Sequence, residues 1–109
     1  MPQRTADYKI NKTTFRVCYG NITELVADAL VSSDDNYLTM SGGVSLSLLL
    51  AGGETIQREA RKQVPLKAGD VAVTSAGYLK AKFIFHAVTI DYDKLIYPNE
   101  EIVCSATER

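Results

Sequence analysis

VSSDDNYLTMSGGVSLSLLLAGG, Val31 to Gly53, passes from an apolar strand end through a polar, acidic loop into two glycines and then an almost wholly apolar helix. Strand, glycine loop and helix in that order are the unit from which α/β domains are built. Gly42 and Gly43 let backbone N–H groups approach an anion with no Cβ in the way, and the dipole at the start of the next helix favours negative charge. The adjacent carboxylates of Asp34 and Asp35 act against such an anion. At an effective dielectric near 20 and ~6 Å, like charges cost on the order of 3 kcal/mol per pair, roughly two powers of ten in affinity. The plain alternative is a loop with convenient glycines and a solvated acidic turn.

Outward from this stretch, TTFRVCYG (residues 13–20) alternates Phe15, Val17 and Tyr19 with Arg16 and Cys18, the period of a strand covered mainly on one face; YKI before it pairs as an edge. NITELVAD follows, with Asn21 or Thr23 capping a single helical turn. ALVSS reads as a short buried strand. VSLSLLLAGG is apolar nearly all round, which predicts a helix from Gly43 buried over most of its surface and ended by Gly52 and Gly53. ETIQREARKQV sets Ile56, Ala60 and Val64 on one stripe, with Glu54 and Arg58 at i,i+4 spacing, and stops before Pro65. A strand follows from about Asp70 to Thr74. AKFIFHAVTI then has the near-continuous apolar content of a central strand covered on both faces. YPNEEIVCSATER opens a helix capped by Asn99.

A chain of 109 residues with 46% hydrophobic content supports one core, so a single domain over residues 1–109 is expected. Its 12 basic and 13 acidic residues leave a net charge of −1, and no broad basic field exists to hold nucleic acid or an anionic membrane. No apolar run reaches the roughly 18 residues of a membrane span, and no signal-like segment opens the chain, so a soluble, cytoplasmic protein is expected. The two cysteines, Cys18 and Cys104, lack a CxxC spacing or a histidine cluster; they read as free buried thiols, with no metal site and no cofactor expected.

The segments GNITELVADALV, SSDDNYLTMSGGV, LAGGETIQREARK and AGDVAVTSAGYLKAKFIFHAV, in this order, resemble the first part of a macro domain, the ADP-ribose-binding module. Their counterparts there are a G-D-I-T turn, an N-A-A-N strand end, glycines opening a helix, an A-G-G boundary, a T-G-x-A turn and strand, and a G-Y-x-L-x-A-K-x-I-H-x-V strand. The resemblance covers about Tyr19 to Val88 and implies an α/β fold of three layers, α/β/α, with a mixed sheet, truncated here on its C-terminal side. It implies ADP-ribose or a related nucleotide as ligand. Asn21 and Ile22 would take the adenine, the Ser41, Gly42, Gly43 and Val44 amides the phosphates, and Asp35 the distal ribose.

The departures fall at that ligand. Asn21 replaces the aspartate that receives the adenine amino group; its amide offers one acceptor oxygen, with its NH2 competing for orientation. Ser32, Ser33, Asp34 and Asp35 replace N-A-A-N. Asp35 either accepts from ribose hydroxyls or caps its own loop, and Asp34 either points to solvent or adds to the repulsion. Ser45 stands where one hydrolytic class carries an acid, His86 in FIFHAV reads as a buried, hydrogen-bonded core histidine, and Ser32 and Ser33 have no base in view. No catalytic residue is nominated. A binding module is expected, with a degenerate oligomerisation or interaction unit as the second reading and ADP-ribosyl hydrolysis as the third. Because the family continues beyond the point reached at Arg109, a homodimer or completion by another chain is expected.

Overall fold

In the computed structural model, which describes residues 4–94, the chain around Ala27–Asp35 and Ala81–Ile90 alternates inward and outward side chains and makes the two parallel strands at the centre of the fold. The element order is β1 (Arg4–Ile10), β2 (Thr13–Tyr19), a 3-10 turn (Ile22–Glu24), β3 (Ala27–Asp35), α1 (Gly43–Gly52), α2 (Glu54–Arg61), β4 (Val71–Ser75) and β5 (Ala81–Ile90). β5 lies between β3, to which it is parallel, and β4, to which it is antiparallel, so the sheet is mixed.

Both helices pack on one face of this sheet. Leu30 of β3, Ile84 of β5, Leu48 of α1 and Ile56 of α2 form one buried cluster with Met40, Ala76 and Leu79. Leu38, Ala60, Ala72 and Val88 form a second beside it. α2 also covers the edge of β4: Glu59 Oε2 accepts from the Ser75 amide (2.7 Å) and Gln63 Nε2 donates to the Val73 carbonyl (2.9 Å), which satisfies backbone groups an edge strand leaves open. The two helices end and begin at a close backbone crossing. A Cβ on Gly77, whose φ is +55°, would lie 2.1 Å from the Gly52 carbonyl oxygen, the same oxygen that accepts from the Tyr78 amide at 3.0 Å.

Several expectations are corrected here. AKFIFHAVTI is central but covered on one face: Ile84, His86 and Val88 are buried, whereas Phe83 and Phe85 are exposed, because both described helices lie on the same side. α1 is apolar all round yet buries only Ser45, Leu48 and Gly52, leaving Val44 and Leu50 exposed on the side turned from the sheet. β2 is exposed along its whole length rather than covered on one face, since β1 and β2 form their own two-stranded sheet. That hairpin is held by cross-strand pairs, Tyr8 against Phe15 and Asp7 with Arg16. Cys18, on β2, is therefore exposed and not a buried thiol. The helix expected from Asn99, and Cys104, lie outside the described residues.

Candidate functional site

Where β2 ends, Gly20 and Asn21 turn the chain into the 3-10 turn, which packs against the start of α1. The two elements enclose a pocket of about 760 Å³ lined by Tyr19, Gly20, Asn21, Ile22 and Glu24 on one side and Gly43, Val44 and Ser47 on the other.

Asn21 is the N-cap of the turn. Its Oδ1 accepts from the Thr23 amide (3.0 Å) and from Thr23 Oγ1 (2.7 Å). A cap must offer an acceptor to an amide, so chemistry fixes the orientation of the side chain: oxygen inward, NH2 group outward. The acceptor that the sequence assigned to a base is thus engaged within the turn. On the facing wall, α1 starts at Gly42 with no side-chain cap and no acid in its first turn. Gly43 needs its glycine because φ is +60°, and a Cβ there or on Gly42 would meet open space. The serines of this helix bond back to it, Ser45 Oγ to the Gly42 carbonyl (3.3 Å) and Ser47 Oγ to the Gly43 carbonyl (3.4 Å). The first amides of α1 thus have no side-chain cap, and the helix dipole favours negative charge at that end.

The acidic pair lies at the other end of this loop, and Asp34 departs from both expectations while Asp35 takes the second of its two, the loop cap. β3 does not stop at Ser33 but continues through Asp35, where its register against β5 shifts between Asp34 and Asp35. The irregularity turns two consecutive residues inward, which simple alternation forbids. Asp34 neither faces solvent nor the pocket: its Oδ2 meets His86 Nδ1 at 2.7 Å, and both side chains are 0% exposed. His86 Nε2 meets Thr74 Oγ1 at 2.8 Å. Thr, His and Asp stand here in the order of a nucleophilic triad, but none of the three lines the pocket and all are buried under the helices. The buried, hydrogen-bonded histidine read from FIFHAV is what the structure holds.

Asp35 is buried too, and caps its own loop. Its carboxylate accepts from the Tyr37 amide (2.8 Å), from the Thr39 amide (3.3 Å) and from Thr39 Oγ1. Thr39 Oγ1 in turn lies 3.2 Å from Ser41 Oγ. Next to it Asn36 receives the Tyr92 amide (3.0 Å) and donates to Asp93 (3.2 Å), while Leu66 donates to its carbonyl (2.8 Å). Tyr37 also donates to Asp93, and that hydrogen bond holds its phenol above the ordinary tyrosine range. Leu38 and Met40 take positive φ of 50° and 51° with their side chains buried, so the loop is pinned by its own packing.

Of the residues singled out from sequence, Asn21, Ile22, Gly43 and Val44 share the pocket; Asp35, Ser41 and Gly42 belong to the loop that leads into it and are not among its lining residues. Sequence reasoning passed over Tyr19, Gly20, Glu24 and Ser47. The signal for Glu24 was its place in the short turn that follows the Asn21 cap.

The chain resembles the Oceanobacillus iheyensis macrodomain solved with ADP at a TM-score of 0.84 and 22% identity, covering 99% of this chain and 60% of that one. It resembles the Trypanosoma brucei macrodomain solved in complex with ADP-ribose at a TM-score of 0.69 and 21% identity, over 82% of this chain and 36% of that one. An uncharacterized protein of Pyrobaculum aerophilum is 51% identical over 73 residues, 63% of this chain and 40% of the relative. The chain spans about 40% of the length of several curated relatives that it matches. The family model of the macro domain matches residues 31–106, well over half of the sequence, and the chain belongs to the macro domain family.

Proposed function

We propose that this chain is a binding module for ADP-ribose or a related nucleotide, held in the pocket between the Asn21–Glu24 turn and the start of α1. The observation that carries the reading is the uncapped N-terminus of α1, with Gly43 and Val44 on one wall of a pocket whose other wall is the turn. In this reading Ile22 packs against the base and the Gly43 and Val44 amides receive the diphosphate. Ser41 and Gly42 extend that cradle, and Asp35 shapes the loop on the ribose side. The solved relatives that carry ADP and ADP-ribose support the ligand class. Titration calorimetry with ADP-ribose tests it: one-site saturation is expected, and no heat at millimolar ligand refutes it.

A second reading has an observation of its own. On the face turned away from the helices, Val31, Phe85 and Val73 share one register across three strands and are 64%, 38% and 47% exposed. Such a row suits a protein partner, a second copy or another chain. In this reading the domain is an interaction unit. Sedimentation at micromolar concentration decides it, since a clean 12.0 kDa monomer would refute self-association through this face.

A further inference from the structure

The wall formed by the 3-10 turn carries two hydrogen-bonding side chains of opposite character. Asn21 has committed its only acceptor, Oδ1, to Thr23, so what it offers outward is the NH2 group, a pure donor. Glu24 lines the same pocket three residues on, is exposed, and its carboxylate has no hydrogen bond or ion pair among the described residues. The Asn21 donor and the Glu24 acceptor thus stand on the same wall of one pocket.

We infer that Glu24 is the group that reads the exocyclic amino group of the base, and that Asn21 donates to the ring nitrogen beside it. An amino group next to an unprotonated ring nitrogen is the edge that an adjacent acceptor and donor match. In a 6-oxopurine the oxygen replaces that amino donor and the ring nitrogen carries a hydrogen, so each group on the base faces the wrong partner. A donor left against the Asn21 NH2, or an oxygen against the Glu24 carboxylate, costs a hydrogen bond in a partly desolvated pocket. Glu24 is then a specificity residue for an amino-bearing base, in a role that the resemblance gave to position 21. The inference rests on nucleotide binding at this pocket.

The test is calorimetry of ADP and of IDP, which differ at the base edge, with the wild-type chain, Glu24→Ala and Glu24→Gln. Urea midpoints are compared first to show that each variant folds; Glu24 is exposed and lies away from both buried clusters. The expected result is a wild-type preference for ADP of about tenfold. Glu24→Ala should lose about tenfold in ADP affinity with little change for IDP, so that the preference vanishes. Glu24→Gln, which keeps a carbonyl oxygen in place, should retain part of the preference. ADP affinity unchanged within about twofold in Glu24→Ala, or IDP bound as tightly as ADP by the wild type, overturns the assignment while leaving the nucleotide pocket standing. Failure of the wild type to bind either nucleotide at millimolar concentration overturns the pocket itself, and the assignment with it.

Discussion

Replacing Asp34 by alanine should lower the stability of the domain by about 3 kcal/mol. The Asp34 and His86 side chains are both 0% exposed and meet at 2.7 Å, and the other ring nitrogen is held by Thr74 at 2.8 Å. Truncation therefore takes from Nδ1 the carboxylate it now meets. An orphaned buried polar group costs about 1–3 kcal/mol, and removing one member of a buried pair about 3–5. Part of this is offset, since Asp34 Oδ1 and the nearby Ser32 Oγ are already buried without partners, and the truncation removes the first of them. Asp34→Asn keeps the shape and an acceptor oxygen and should cost about 1 kcal/mol. Urea unfolding followed by circular dichroism reads both, provided the slope m is unchanged. In a thermal scan the alanine variant should melt roughly 10–20 °C lower. Combining Asp34→Ala with His86→Leu should cost less than the two single changes added together, because the second removes the group that the first orphans. A loss below about 1 kcal/mol for Asp34→Ala would show that His86 finds another partner and that the pair does not tie the end of β3 to β5.

Gly77→Ala should destabilise by about 2 kcal/mol or more, since its Cβ would sit 2.1 Å from the Gly52 carbonyl oxygen at a φ of +55°; an unchanged urea midpoint would sink this. Asp35→Asn leaves one acceptor oxygen where the carboxylate now serves Tyr37 and Thr39 and should cost about 1 kcal/mol, read in the same unfolding assay; a midpoint equal to wild type would mean the loop does not depend on it. In the hairpin, the Arg16 guanidinium donates to Asp7 at 2.6 and 2.9 Å and holds that carboxyl below its ordinary value of 3.8. A depressed folded-state value means that the stabilisation is present above pH 3.8 and is lost as pH falls through the folded value. Hydrogen exchange of the β1–β2 amides should therefore quicken in acid relative to the helices, and Arg16→Ala should abolish that difference; being exposed, the pair should also weaken in salt.

What the sequence made legible is what local chemistry dictates. Gly43 and Gly53 marked the ends of α1, the Ile56 and Ala60 stripe set the inner face of α2, and of the two cap candidates, Asn21 and Thr23, Asn21 is the one that caps the turn. Burial was read less well, because composition tells how apolar a segment is and not which of its sides has a neighbour. α1 and β5 are both apolar enough to be covered all round, yet Leu50 is 75% and Phe83 48% exposed. β2 failed for the same reason, its alternation real but its sheet separate. The candidate site was half legible: Asn21, Ile22, Gly43 and Val44 came from the resemblance and from glycine chemistry, whereas Glu24 and Ser47 enter only when the turn and the helix are set face to face. Asp34 was not legible at all. Its partner His86 lies 52 residues away, and the register shift that turns both aspartates inward leaves no mark in the order of residues.

The opening contradiction, two carboxylates beside a loop built for an anion, resolves through where their lone pairs point. Asp34 is matched by an imidazole on the next strand, at the depth of the helix-covered core, and lies outside the pocket wall. Asp35 lies beside the loop but directs its oxygens at the Tyr37 and Thr39 donors, whose dipoles lower the potential it projects outward. The repulsion of about 3 kcal/mol per pair reckoned from sequence assumed bare charges ~6 Å from the phosphates. With one carboxylate paired and the other capped, that figure becomes an upper limit. The same bonds do constructive work on the loop: Asp35 fixes Thr39, Thr39 reaches Ser41, and two residues later Gly43 starts the helix whose amides face the pocket. At this strand end the aspartate therefore serves the loop itself, making a rigid approach to the helix N-terminus.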